Sequence, residues 1–322
     1  MTTLLGLAPM AGISDMPMRA LCYRMGANYA CTEMVSAQGW MCTKSSNEAY
    51  RQLLETDPCE YNTAVQLFGK DPVAMGEAAA RACSLRRFTS IDINMGCPAR
   101  KIVSSGEGSA LLLNPALAIR LMESVKRNSS LPVTVKLRLA YDDTRGDALP
   151  IVQAAQDLGF QHVCVHGRTR EQQYAGHADY AAIAAIKRQV AIPIIANGDV
   201  TTPEDALRIL DETHCDGLLI GRGAMGNPWV FRGAAQALAG EAPTKETLDE
   251  RFSLALEHID RMVAHKGEWL GVMEMRKHVS RYVSGVRGAA AMRRALNDAE
   301  TAEQMKALLR SLFELAARKE EL

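Results

Sequence analysis

A thiol, an amine and two glycine turns are the groups in this sequence best placed to do chemistry. Cys97 stands in Asn94-Met95-Gly96-Cys97-Pro98-Ala99, directly after the short apolar alternation of residues 90–93. Gly96 and Pro98 make a turn there, so the thiol is presented at a strand end; the bland alternative is a small buried hydrophobe, the commonest fate of a free cysteine. Lys136 lies inside Val133-Thr134-Val135-Lys136-Leu137-Arg138, among β-branched and apolar neighbours. A charge in that setting needs an anion, either a protein partner such as Asp92 or Glu33 or a bound ligand. Asn197-Gly198-Asp199 and Gly221-Arg222-Gly223 are turns whose backbone amides can converge on one anion. None of the eight cysteines forms a C-x-x-C pair, so zinc and dithiol chemistry are poorly supported and no metal is expected.

These groups recur at the ends of strand-like runs. Apolar runs at 4–10, 28–35, 63–69, 90–94, 132–139, 162–167, 192–198 and 217–221 alternate with helical stretches. Helix starts are marked by Ser14, by Asn114-Pro115, and by Thr202-Pro203-Glu204-Asp205 with acids in the first turn. Eight such units in about 240 residues predict an α/β chain built as a (β/α)8 TIM barrel, with an open doubly wound sheet as the runner-up. Gly240-Glu241-Ala242-Pro243-Thr244 reads as a linker, and Thr247-x-x-Glu250 as a capping box opening a wholly helical region. The expected division is therefore 1–240, the barrel, and 241–322, a small helical bundle. With 322 residues and 48% hydrophobic content, the chain can bury one large core and a small second one. No basic start precedes the short apolar stretch 4–10, so neither a secretory signal nor a membrane span is expected and the chain reads as cytoplasmic.

In a barrel of this kind the active site lies at the C-terminal strand ends. Here they carry Pro9-Met10-Ala11, Glu33, Gln66, Asn94 with Cys97, Lys136 with Arg138, His166 with Arg168, Asn197-Gly198-Asp199 and Gly221-Arg222. The loops after strands seven and eight are the fold's usual phosphate site. A phosphate there, with Lys136 facing the electron-rich edge of a ring and Gln66 able both to donate and accept, describes a flavin mononucleotide site. Pro9-Met10-Ala11 supplies an apolar surface for the ring. Gly221-Arg222-Gly223-Ala224-Met225-Gly226 also matches G-x-G-x-x-G, but no strand follows it, which a dinucleotide-binding unit would require.

Ala8-Pro9-Met10-Ala11-Gly12, Asp92-Ile93-Asn94-Met95-Gly96-Cys97-Pro98, Val135-Lys136-Leu137-Arg138, Val165-His166-Gly167-Arg168-Thr169-Arg170, Ala196-Asn197-Gly198-Asp199 and Ile220-Gly221-Arg222-Gly223 together closely resemble the motifs of bacterial tRNA-dihydrouridine synthases. Arg276-Lys277-His278-Val279-Ser280 and the Asn-Met-Gly-Cys-Pro-Ala wording are most similar to the B-type branch. The resemblance covers about residues 4–285. It implies an FMN oxidoreductase that uses NADPH to reduce the C5=C6 bond of D-loop uridines in tRNA. Carried over by position, FMN contacts fall on Pro9, Met10, Ala11, Gln66, Lys136, His166, Asn197, Gly198, Asp199, Gly221 and Arg222. Cys97 becomes the proton donor, and Asn94, Arg138 and Tyr174 handle the uracil. Reduction delivers hydride from flavin N5 to C6 while charge builds toward C5 and O4. A thiol can protonate C5, and Arg138 can stabilise the developing enolate.

Such a substrate must have its base swung out and be gripped through shape and backbone. The formal net charge is zero, so that grip must be local. Between 276 and 294 stand six Lys or Arg and no acid, with Lys277 and Arg281 on one helical face. Arg276 and Arg281 are the expected RNA contacts there; Arg100, Lys101, Arg168 and Arg170 add charge at the barrel mouth. For any one of them a solvated surface is the alternative, and Tyr174 reads equally as a base contact or a loop anchor. Two rival functions stay open on the residues: a dihydroorotate-dehydrogenase-type reductase of a small pyrimidine or enone, and an RNA-binding protein that keeps the barrel as scaffold. A monomer is the expected oligomeric state.

Overall fold

The computed structural model describes residues 3–44 and 47–317; the outermost residues of both expected segments and residues 45–46 lie outside them. Nine parallel strands are present: β1 (Leu4–Leu7), β2 (Tyr29–Cys31), β3 (Val35–Ser36), β4 (Thr63–Phe68), β5 (Ser90–Met95), β6 (Val133–Arg138), β7 (His162–His166), β8 (Ile194–Asn197) and β9 (Gly217–Ile220). Eight of them close a ring, because β1 pairs with both β2 and β9 while β2 also pairs with β4. This is the expected barrel, and it excludes the open sheet. The run expected as one strand over 28–35 is instead split into β2 and β3. At the break Thr32 Oγ1 accepts the Gln66 amide at 3.0 Å, so a side chain takes the ladder's place and the backbone turns before β3 pairs Val35 with Leu67.

Alternation along the strands sorts their side chains. Leu67, Ile93, Val135, Leu137, Val165 and Ala196 belong to the apolar layer between the barrel and its surrounding helices. A second, smaller cluster, Ala8, Tyr29, Cys31, Ala64, Cys164, Ile195 and Leu219, plugs the barrel interior. Helix caps follow the sequence signals, with one shift. Asn114 caps Pro115–Asn128, and Thr202 with Asp205 forms a capping box on Pro203–Thr213. The first helix, Met16–Arg24, is capped by Asp15, which accepts the Met18 amide, rather than by Ser14; Ser14 Oγ is occupied by the Met10 amide at 2.8 Å.

After Trp229–Leu238 come four helices, Leu248–Lys266, Glu268–Tyr282, Ala289–Asp298 and Ala302–Ala317, the first opened by the Thr247/Glu250 capping box. They share their own apolar cluster, joined by Leu21 and Trp229 from the barrel side. Polar contacts add to that seam: Lys266 reaches Asp15 at 2.7 Å, and Arg261 reaches Asp57 at 3.2 Å. No helix among the described residues is long and apolar enough to cross a membrane.

The most deeply buried ion pair, Arg19 with Glu60 at 2.7 Å, ties the first helix to the segment entering β4. Arg19 also donates to the carbonyls of Ser14 and Glu55, and Glu60 accepts from Thr63 and the Asp57 amide. Removing one partner strands the other's charge. Arg19→Met is therefore expected to lose about 3–5 kcal/mol of stability, read as a lower urea midpoint, with Arg19→Met/Glu60→Gln recovering part of the loss.

Candidate active site

Gln66, Asp92, Asn94, Thr134, Lys136, Arg138, His166 and Asn197 share the inner barrel face, on the C-terminal side of the apolar plug. The ladders set Gln66 beside Asp92 and Thr134, Asn94 beside Lys136, and Arg138 beside His166 and Asn197. All of these but Asp92 and Thr134 line a cavity of about 880 Å³ whose wall includes all eleven residues expected at the cofactor, together with Asn94, Cys97, Arg138, Tyr174 and Arg281.

A chain of hydrogen bonds runs from the buried interior to the thiol turn. Asp92 accepts from Thr134 Oγ1 at 2.6 Å and from Gln66 Nε2 at 2.7 Å. Gln66 Oε1 accepts from Asn94 Nδ2 at 2.8 Å, and Asn94 Oδ1 accepts the Cys97 amide at 3.0 Å and that of Gly96 at 3.2 Å. Burial raises the Asp92 carboxyl, opposed by the Gln66 and Thr134 hydrogen bonds and by Lys136. Two further groups fix the turn from outside. Arg138 Nε donates to Gly96 O at 2.9 Å, and Ser109 donates to Cys97 O through both its amide and its hydroxyl. Gly108, at φ +59°, must be glycine, because a Cβ there would lie 2.9 Å from Cys97 O. Sequence reasoning passed over Ser109 and Gly108; the signal available was the Gly106-x-Gly108-Ser109 spacing just downstream.

The Lys136 amine forms no ion pair or hydrogen bond with any described residue, so pairing with Asp92 or Glu33 is not what holds it. Burial lowers its affinity for a proton, while Cys164 and Asp92 pull the other way. Arg138 is pushed down to about 10, chiefly by burial, and stays charged at neutral pH. One of its outer nitrogens donates to the carbonyls of Thr169 and Gln173, each at 2.8 Å. His166 is held neutral by burial and by the neighbouring charges of Lys136, Arg138, Arg168 and Arg222.

Just past the ends of β8 and β9 the amides of Asp199, Arg222 and Gly223 donate to no described residue. A Cβ at Gly223 would fall 2.0 Å from Val200 O, and one at Gly198, φ +132°, would meet Ala178 at 2.8 Å. Backbone alone therefore lines this corner. The Asp199 carboxylate would repel an anion, but both its oxygens are taken by Arg168, at 2.9 and 2.8 Å, and by the Ala178 amide. Burial raises this carboxyl, and the Arg168 and Ala178 hydrogen bonds outweigh burial to leave it lowered. An unpaired lysine, a free amide cluster and an apolar wall at Pro9-Met10-Ala11 fit an anionic, ring-bearing cofactor.

Two of the expected RNA contacts are corrected here. Arg168 is 1% exposed and spends its donors on Asp199 and on the carbonyls of Ala175 and Gly176, so it braces the anion corner. Arg276 is half-buried and donates to the Ala299 carbonyl at 2.9 Å, closing the end of Ala289–Asp298. Lys101 is exposed but outside the cavity wall. Tyr174, 54% exposed, has the Arg222 guanidinium 4.7 Å and that of Arg138 5.7 Å from its ring centre, which places it at the rim. No cluster of His, Cys, Asp and Glu suited to a metal occurs among the described residues.

The family model described as dihydrouridine synthase matches residues 6–318. The chain belongs to the dihydrouridine synthase family. The match continues through the bundle, past the 285 or so reached by motifs. Relatives include the tRNA-dihydrouridine synthase B of Pseudomonas aeruginosa, 40% identical over 95% of this chain and 92% of that one. That of Vibrio cholerae is 40% identical over 97% and 96%, and a probable tRNA-dihydrouridine synthase of Rhodobacter capsulatus 39% over 95% and 94%. Among solved structures, histamine dehydrogenase from Rhizobium superposes with a TM-score of 0.56 at 10% identity, over 80% of this chain and 49% of that one. The chain thus spans about half of that larger protein and shares its barrel fold.

In this dihydrouridine synthase His166 should not titrate between pH 5 and 8, checked by its imidazole NMR shifts. Because the unfolded ring binds a proton below about pH 6.5 and the folded one does not, His166 removes stability as pH falls through that value.

Proposed function

We propose that this chain is an FMN-dependent tRNA-dihydrouridine synthase of the B type that draws on NADPH and saturates the C5=C6 bond of D-loop uridines. Residues 1–240 are the catalytic part and 241–322 the RNA-gripping part. Lys136 carries the reading: a lysine on the inner wall, on the strand beside the one that leads into the thiol turn, whose amine has no ion pair or hydrogen bond with any described residue. A flavin held here would supply a hydride, two electrons with one proton, to C6 on one face of the uracil. Lys136 would neutralise the electron-rich edge of the ring, and the Asp199, Arg222 and Gly223 amides would hold the phosphate. Gln66 has one N–H and one lone pair left for the ring, its others being spent on Asp92 and Asn94.

Cys97 Sγ holds the proton for C5. Asn94 lines the cavity and keeps one Nδ2 N–H for the uracil, its carbonyl oxygen being committed to the turn amides and its other N–H to Gln66. Arg138 is anchored through Nε and one outer nitrogen, leaving the other to meet the uracil carbonyl where charge accumulates. Relatives about 40% identical over nearly the whole chain that carry the tRNA-dihydrouridine synthase name favour RNA over a small pyrimidine, and an intact cavity with Lys136 and Cys97 favours an enzyme over a bare scaffold.

Cys97→Ala is expected to retain flavin absorbance and NADPH-driven flavin reduction while dihydrouridine formation falls about 10²–10⁴-fold; wild-type turnover would refute the acid role. Binding of tRNA should weaken steeply between 50 and 200 mM salt. Arg281→Glu should weaken it further with the flavin spectrum unchanged, measured by filter binding; salt-insensitive binding would count against an RNA substrate.

A further inference from the structure

The helix Glu268–Tyr282 buries Val272, Met275, His278, Val279 and Tyr282 in the bundle. Its opposite face carries Trp269, Met273, Lys277 and Arg281, four residues apart and therefore stacked in one stripe. All four are exposed, and Trp269 is 74% so. Across twelve residues the stripe is about 18 Å long. Its C-terminal end is part of the active site, because Arg281 lines the cavity and the Lys277 amine lies 2.9 Å from where a Gly12 Cβ would stand, on the loop after β1. The stripe itself holds no acid. Glu268 at its far end is engaged by the Ala302 amide, and Glu274 alongside is paired with Lys266.

We propose that this face is an RNA track, with Lys277 and Arg281 on the backbone near the reacting nucleotide and Trp269 stacking an unpaired base farther along. The inference rests on the tRNA reading above and adds to it a second grip, remote from the reacting base. A large exposed indole is costly to leave in water, and a nucleobase face covers it without any requirement for sequence. Positive charge continuous with the cavity mouth favours a polyanion over an apolar peptide as the occupant.

The chain has three tryptophans, and Trp40 and Trp229 are 3% and 4% exposed, so acrylamide quenching reports on Trp269. Adding tRNA to the flavin-loaded protein should shield the quenchable emission. Trp269→Ala should raise the Kd for tRNA about five- to a hundredfold, and the KM likewise with kcat unchanged. Trp269→Phe should restore most of the affinity, and flavin absorbance should be the same in all three proteins. Wild-type affinity in Trp269→Ala, or emission that stays quenchable in the complex, overturns the track and leaves the face to a protein partner. Failure of the wild-type protein to bind tRNA at all overturns the functional reading instead.

Discussion

The buried Asp92 carboxylate is the constraint on which the site depends. It sits on the inner face of β5 where water does not reach it, and it is tolerable only because Thr134 and Gln66 both donate to it. That obligation fixes the Gln66 amide, which fixes Asn94, which in turn fixes the amides of the turn bearing Cys97. A thiol on a glycine turn would otherwise be loosely held, and a misplacement of about 1 Å is enough to slow a reaction sharply. The fold thus transmits rigidity from its interior to its reactive edge through three side chains.

Electrostatics is arranged on the same economy. A chain with no net charge cannot attract a polyanion at long range, yet the cavity wall concentrates Lys136, Arg138, Arg222 and Arg281. Arg168 is spent inside the protein, on the one carboxylate that would spoil an anion site. The bundle completes the rim, held to the barrel by the Leu21 and Trp229 packing and by Lys266 on Asp15.

The barrel, the cavity wall and the helix caps were legible in the sequence because alternation, glycine turns and capping boxes are local patterns. What was not legible is decided by partners distant in the chain. Arg168 and Arg276 look like any other exposed cations until Asp199 and the Ala299 carbonyl come into reach. The break between β2 and β3 depends on a Thr32 hydroxyl meeting β4. Asn94 stands in the cavity wall as its spacing suggested, and its hydrogen bonds add a task that spacing did not show, holding the backbone of Cys97. Trp269 was findable from its fourfold spacing to Lys277 and Arg281, yet nothing local distinguishes it from a core aromatic.

The corner formed by Gly198, Asp199 and Gly223 has a thermodynamic consequence. Its backbone is locked by steric necessity and by Arg168 before any ligand arrives, so binding there orders almost nothing and loses little entropy. The same rigidity holds the amides of Asp199, Arg222 and Gly223 away from every acceptor among the described residues and toward the cavity. Folding and ligand capture are thereby linked, and the protein's resistance to heat becomes a function of free cofactor concentration, rising logarithmically once that concentration passes the dissociation constant.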